Sequence, residues 1–246
     1  MSAPEEILAA PPSPRTERFR ALDREMPGFV AGRAVGGSCF ACYRPIGEGG
    51  RVDVVYRDGR MSCAKCLATA VTRISKGRLI LQDVSRVLRD AGGLDFDGGR
   101  WVRLELRSQE QLIASSGCSY APLPWGSAGV SRDDDGSGAT VYTVNVLYGL
   151  PQTMFSPLCA HELGHVYQVR HNFPKLDNAV MEGLCRLCEY VWLKRDGSTT
   201  ALSQIDGMWH SENPVYGTGY RAAYTALRGR RLVALMEDVR RLGHLP

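Results

Sequence analysis

The sequence predicts an α+β fold in which a small cysteine-bound module precedes a larger domain of mixed sheet and helices. Three observations carry this. Cys39/Cys42 and Cys63/Cys66 form two Cys-x-x-Cys pairs with twenty residues between them, and thiol pairs at that separation mark a structural zinc site. Residues 101–106 and 139–147 alternate apolar and polar side chains with the two-residue period of strands. Later stretches, at about 157–169, 178–194 and 220–242, carry apolar residues at helical spacing.

The chain can be justified in order. Residues 1–36 hold Pro4, Pro11, Pro12 and Pro14 and little apolar periodicity, as expected of a flexible arm. Residues 37–76 are the expected zinc module. Val52, Val54 and Tyr56 alternate, Asp58-Gly59 is a tight hairpin turn, and a helix should start at Ala64. Four thiolates from Cys39, Cys42, Cys63 and Cys66 would close the coordination shell, so this zinc is expected to be structural. Residues 77–246 form the expected main domain. Ile80 to Ala91 have helical spacing, which Gly92-Gly93 should end. Ser108-Gln109-Glu110-Gln111 is a capping box that opens a short helix. Residues 117–138 are rich in Gly, Pro and Ser and contain Asp133-Asp134-Asp135-Gly136, an acidic cluster that lacks the ligand spacing and terminal Glu of a calcium loop and reads as a solvated turn. Ala139–Leu147 is the strongest strand and is expected at a sheet edge.

Composition narrows the function. Of 246 residues, 44% are hydrophobic and 23% charged, the balance of a soluble globular protein. No apolar run is long enough for a membrane span, and no secretory leader is visible, so a cytoplasmic location is expected. Eight cysteines without an export signal argue for metal rather than disulfides. The net charge of +4 resides in the tail from Arg221, where six arginines face Glu237 and Asp238. That pattern reads as a solvated helix face, and neither nucleic acid nor membrane is an expected partner.

The segment at 157–169 holds the chemistry. His161-Glu162-Leu163-Gly164-His165 is a His-Glu-x-x-His motif. On a helix, residues four apart share a face, so His161 and His165 can bind one metal ion. Glu162 lies beside that face, placed to act as general base on a zinc-bound water. Ser156 and Pro157 suit the N-cap and first position of this helix. A catalytic zinc needs a third protein ligand, and three residues compete for the role. His171 lies six residues beyond His165, but the chain turn that would use it calls for Gly where Gln168 stands. Glu182 lies on the next predicted helix, seventeen residues after His165, the gluzincin arrangement. Asp177 lies at the start of that helix. Spacing favours Glu182 and leaves the other two open. Cys185 and Cys188 form a third Cys-x-x-Cys, read as buried small hydrophobes, and Glu189 receives no role.

Five segments occur in one order: Cys39 to Leu67, Tyr148-Gly-Leu-Pro151, Ala160-His-Glu-Leu-Gly-His165, Glu182-Gly-Leu-Cys185 and Pro214-Val-Tyr-Gly-Thr-Gly-Tyr-Arg221. Together they resemble the plant organ-size-regulating LIM-domain zinc peptidases, the ubiquitin-activated "DA" type, over about residues 38–225. The chain looks like a shorter, bacterial-looking member with one zinc module. The resemblance implies a zincin-like metallopeptidase domain behind a LIM-like module and two zinc ions per chain, one catalytic and one structural. It implies His161, His165 and Glu182 as ligands of the catalytic zinc and Glu162 as catalytic residue. Two departures from the plant pattern, a single zinc module and an arm without ubiquitin-interacting helices, mean that activation by ubiquitin is not carried over.

The expected activity is zinc-dependent endopeptidase cleavage of protein or peptide substrates, with a protein partner conceivable at the zinc module. Tyr216, in a Tyr-Gly-Thr-Gly loop, is the first candidate for stabilising the oxyanion, and Tyr220 the second. The rival reading is a non-catalytic zinc-stabilised interaction module. Two zincs per chain, one lost on Cys63→Ser and the other on His161→Ala, would fit the enzyme; a single thiol-bound zinc would fit the rival.

Overall fold

A computed structural model describes residues 29–32, 37–46, 53–96, 102–116, 126–132 and 140–246. The acidic cluster at 133–136 lies outside the described residues, as does most of the arm expected over 1–36. The architecture is mixed α+β, with a four-cysteine cluster towards the N-terminus. Among the described residues no helix is long and apolar enough to cross a membrane. The chain divides into two compact units, one built from residues 1–78, 105–125 and 146–155, the other from 79–104, 126–145 and 156–246.

In the first unit, β1 (Phe29–Gly32), β2 (Asp53–Tyr56) and β3 (Met61–Ser62) form an antiparallel sheet in that order. β1 lies inside the segment read as an arm; an apolar run of three, Phe29-Val30-Ala31, is too short to signal a strand before its partner is known. The β2–β3 turn is closed as expected, with Gly59 at φ 82° and Tyr56 N–H donating to the Arg60 carbonyl at 2.7 Å. Helix α1 (Ala64–Thr69) starts one residue after Cys63.

The turn Tyr148–Pro151 is held by this module at several points. The Tyr56 hydroxyl donates to the Gly149 carbonyl at 3.2 Å, and Arg60 Nη2 donates to the Tyr148 carbonyl at 3.0 Å. Gly149 N–H reaches the Val71 carbonyl, and Val71 N–H reaches the Leu150 carbonyl. Only glycine suits position 149: its φ is +83°, and a Cβ there would lie 2.6 Å from the Tyr56 hydroxyl. Arg60 is clamped in turn by Asp58 and lies over the rings of Phe40 and Tyr56, 4.6 and 4.7 Å from their centroids.

A second sheet has the order β4-β6-β5, from β4 (Val102–Arg107), β5 (Gly126–Arg132) and β6 (Thr140–Leu147). This corrects one expectation. The strand at 139–147 is central rather than an edge, and Val144 and Val146 are buried along with Val141 and Leu147. The Gly-, Pro- and Ser-rich segment at 117–138 contains β5. Its sequence, Gly-Ser-Ala-Gly-Val-Ser-Arg, offers a single branched residue, Val130, and no aromatic one, and pairing with β6 overrides that weak propensity. Ahead of helix α3 (Gln109–Ser116), Ser108 Oγ accepts from Gln111 N–H and Gln111 Oε1 accepts from Ser108 N–H, the reciprocal capping box expected there.

The second unit is mainly helical. Helix α2 (Ile74–Val87) runs into a π-helical turn at Leu88–Gly92, ended by Gly93 at φ 82°. Helix α4 (Gln152–Arg170) begins five residues before Pro157, so Ser156 is not its cap and Pro157 is not its first residue. The Pro151 carbonyl starts the helix by accepting from Met154 and Phe155 N–H groups. Pro157 lies inside the helix, past its first turn, and offers no N–H for an i→i−4 bond.

Helix α5 (Asn178–Asp196) is capped by Asp177, whose carboxylate accepts from Ala179 N–H, and ends at Gly197. Helix α6 (Thr199–His210), capped by Ser198, was not expected; Gly207 and a polar first turn dilute its periodicity. Gly207 is exposed, and a Cβ there would meet nothing within 4 Å. Gly207→Ala is therefore expected to raise stability by about 0.5–1 kcal/mol, seen as a higher thermal midpoint. The C-terminal helical stretch, in which Gly229 is a possible interruption by sequence, is broken there into α7 (Tyr216–Leu227) and α8 (Leu232–Leu242), separated by left-handed Arg228 and Gly229. Arg230, Arg240 and Arg241 pair with Asp238 and Glu237, as a solvated face does.

Candidate metal centres and catalytic residues

The thiols of Cys39, Cys42, Cys63 and Cys66 converge, with all four sulfurs within 4.8 Å of one another. The first knuckle is tied by Cys39 N–H to the Arg44 carbonyl and Tyr43 N–H to the Cys39 carbonyl, with Tyr43 at φ 57°. Burial pushes the Cys39 thiol up, but the backbone N–H groups of Cys63, Cys42 and Ala41 outweigh it and bring the group down to about 7. A soft, thiolate-only donor set of this kind can hold zinc and leaves it no open position.

The second centre lies between α4 and α5. His161 and His165 project from one face of α4, their Nε2 atoms 3.2 Å apart. Glu182 Oε2, from α5, lies 3.0 Å from His161 Nε2 and 3.5 Å from His165 Nε2. A tetrahedral zinc with bonds of about 2.0–2.2 Å has ligand–ligand edges of roughly 3.4 Å. The three measured separations bracket that value, and Glu182 Oε2 is buried with no hydrogen-bond partner of its own.

Charge points the same way. Burial opposes protonation of His161, yet the carboxylates of Glu182 and Glu189 push it up to about 10. Burial would raise the Glu182 carboxyl, but the two histidines hold it well below the usual range. The cavity between them calls for positive charge, which a metal cation would supply.

Glu162, 4% exposed, has Oε2 buried without a hydrogen-bond partner. Burial pushes its carboxyl up, and Glu182 and Glu189 add to this, while His161 and His165 pull the other way. Gly126, the first residue of β5, makes room for it: a Cβ there would come within 2.6 Å of Glu162 Oε1.

Other candidates are sorted by position. Asp177 is a helix cap. His171 stacks on Tyr167 with centroids 4.1 Å apart and belongs to neither described donor cluster. Gln168, found where the alternative needed glycine, is buried and donates from Nε2 to the Met181 carbonyl, tying α4 to α5. Cys185 and Cys188 are fully buried. The Cys185 sulfur packs against Gly164 and lies within 4.8 Å of a ring nitrogen of both histidines, and burial pushes its thiol far up. Glu182 is the closer and more readily charged donor.

Tyr216 is not in a loop: it opens α7, with its ring 6.3 Å from that of His161. Tyr220 is buried, its ring against those of Tyr190, Trp209 and Tyr224. Gly183 and Gly219 explain why the Glu-Gly and Tyr-Gly-x-Gly elements go together. A Cβ at Gly183 would fall well inside 3.0 Å of the Gly219 carbonyl, and one at Gly219 equally close to the Ala179 carbonyl. Bare backbones let α5 and α7 touch, and this sets Glu182 and Tyr216 around one site.

Glu189 is the functional candidate that sequence reasoning passed over. It lies two turns after Glu182, and its Oε1 is 2.7 Å from His161 Nδ1 while Oε2 accepts from Arg186 Nη1 at 2.8 Å. The seven-residue spacing was visible; that this face of α5 is buried was not.

An α+β protein with one closed thiol cluster and one open His-His-carboxylate cluster belongs, by its donor sets, among candidate metal-binding proteins. Comparison narrows this further. Residues 133–211 match the DA1-like family, described as Protein DA1. The chain is 26% identical over 140 residues to "Protein DA1-related 2" of Arabidopsis thaliana, covering 43% of this chain and 26% of that protein. It is 25% identical over 142 residues to "LIM domain-containing protein HDR3" of Oryza sativa subsp. japonica, covering 43% and 28%. To "Protein DA1" of Arabidopsis thaliana it is 25% identical over 134 residues, covering 43% and 25%. The chain thus spans about a quarter of the length of these relatives. No solved structure matches.

Proposed function

We propose that this chain is a zinc-dependent endopeptidase with a zincin-like catalytic domain of the gluzincin type, acting on protein or peptide substrates. The observation that carries the reading is the convergence of His161 Nε2, His165 Nε2 and Glu182 Oε2 within 3.0–3.5 Å beside the buried carboxylate of Glu162. His161, His165 and Glu182 would hold the catalytic zinc, and Cys39, Cys42, Cys63 and Cys66 a structural one. When bound at the open site, zinc supplies Lewis-acid activation of water and of the scissile carbonyl.

The chain's own groups do the rest. Glu162 takes a proton from the attacking water and passes it to the leaving amine, so one carboxylate serves as base and then as acid. Tyr216 would donate to the carbonyl oxygen as negative charge develops there, a role supported by its ring lying 6.3 Å from that of His161, whereas Tyr220 packs. β5, at the sheet edge and next to Glu162 through Gly126, is the strand along which an extended substrate would pair its backbone. The location is proposed to be cytoplasmic.

The test compares cleavage of a proteome-derived peptide mixture by wild type and Glu162→Gln, each with measured zinc content. Wild type is expected to cut, and the variant to keep two zincs while losing about 10²–10⁴-fold in rate. Undiminished cleavage by the variant would remove Glu162 from the reaction. A wild type that holds only thiol-bound zinc and cuts nothing would favour the interaction-module reading.

A further inference from the structure

We propose that Glu189 is a positioning residue that sets the affinity of the histidine site for zinc, with Arg186 as its anchor; this rests on the metal-site reading above. Glu189 stands seven residues after Glu182 on α5, and therefore on the same face. It is 8% exposed, yet neither oxygen is idle. Oε1 accepts from His161 Nδ1 at 2.7 Å, and Oε2 accepts from Arg186 Nη1 at 2.8 Å. A carboxylate in so closed a place is costly unless paired, and packing alone would be served better by a leucine such as Leu187 or Leu193 nearby.

The geometry gives it a task. An imidazole that donates from Nδ1 keeps the lone pair of Nε2, and in His161 that is the atom facing His165 and Glu182. The same hydrogen bond fixes the ring plane and increases the electron density available at Nε2. Arg186 holds the far oxygen and lies over the ring of Tyr216, its Cζ 5.2 Å from the centroid. One planar guanidinium therefore links the carboxylate behind a metal ligand to the candidate oxyanion donor, a double role that a lysine fork cannot fill.

The experiment measures zinc dissociation from each site by chelator competition in the full chain, with the thiol site as internal reference. Glu189→Leu is expected to weaken the histidine site about 10–100-fold and leave the thiol site unchanged. Glu189→Gln keeps an acceptor oxygen for Nδ1 and is expected to recover most of that loss. A purely structural role would lower both sites together, or lower the thermal midpoint of zinc-free protein without this rescue. Wild-type affinity in the leucine variant would overturn the inference while leaving the metal site intact. A wild type that binds no zinc at the histidines would overturn the site itself. Should Glu189→Leu fail to fold, Arg186→Gln, at a partly exposed position, tests the same link. About a 10-fold weaker histidine site is expected, and unchanged affinity overturns the role of the anchor.

Discussion

Cys63→Ser is expected to cost the protein one zinc ion and the folded state of the segment around residues 37–66. The buried cluster of this module consists of Cys39, Ile46, Cys63 and Cys66, with Ala41, Val55 and Met61 only partly buried against it. Three of its four buried members are cysteines proposed to hold zinc, so without metal there is little apolar surface to hold the knuckles closed. Zinc binding contributes about 10–16 kcal/mol to comparable small domains, more than any single packing change can replace. Cys63 also caps α1 through its backbone carbonyl, which accepts from Leu67 N–H, and serine keeps that bond, so the expected loss comes from the metal and not from the helix start. The measurements are metal content, expected to fall from two zincs to one, and limited proteolysis, expected to cut within 37–66. A protease-resistant module with serine at position 63 would show that packing suffices.

Gly183→Ala is expected to be a strongly damaging conservative change. The added Cβ would be driven into the Gly219 carbonyl, a backbone atom that cannot rotate away, so α5 and α7 would have to part. Overpacking of this kind costs about 3 kcal/mol, which for a chain of this size lowers the thermal midpoint by roughly 6–12 °C. Function should suffer beyond stability, because Glu182 precedes Gly183 directly and Tyr216 opens the helix being pushed. Zinc at the histidine site should bind more weakly in Gly183→Ala even well below the melting range, whereas Gly207→Ala should leave it unaltered. An unchanged midpoint would mean that the crossing is looser than its geometry indicates.

Much of this site could be read from residue spacing because the relevant physics is local. His161 and His165 are one helical turn apart, Glu182 lies on the next helix, and Cys-x-x-Cys pairs need only a tight turn each. The same holds for the Ser108–Gln111 capping box and the Asp58-Gly59 turn. What spacing could not give depended on partners distant in sequence. β5 has the composition of a turn and becomes a strand through its pairing with β6. The central place of β6 is likewise a property of the sheet, not of its own alternation. Pro157 suggested a helix start, whereas the Pro151 carbonyl provides it. The glycines at 217 and 219 suggested a loop, but they serve close helix contact, which composition alone cannot distinguish from flexibility. Glu189 received no role because seven-residue spacing, which left it either supporting the site or on the surface, says which face a side chain is on, not whether that face is covered.

The clasp between Tyr56, Arg60 and the turn at Tyr148–Pro151 has a consequence for assembly. The hairpin carrying Tyr56 and Arg60 closes over a few residues, whereas the Tyr56–Gly149 bond joins positions 93 residues apart. Closing so long a loop is entropically expensive, while a ribosome delivers the chain from its N-terminus. The cysteine hairpin can therefore be complete while residue 149 is still being synthesised. The downstream turn then meets a finished surface of two rings and a guanidinium, and the helix that bears His161 is launched from a turn already held.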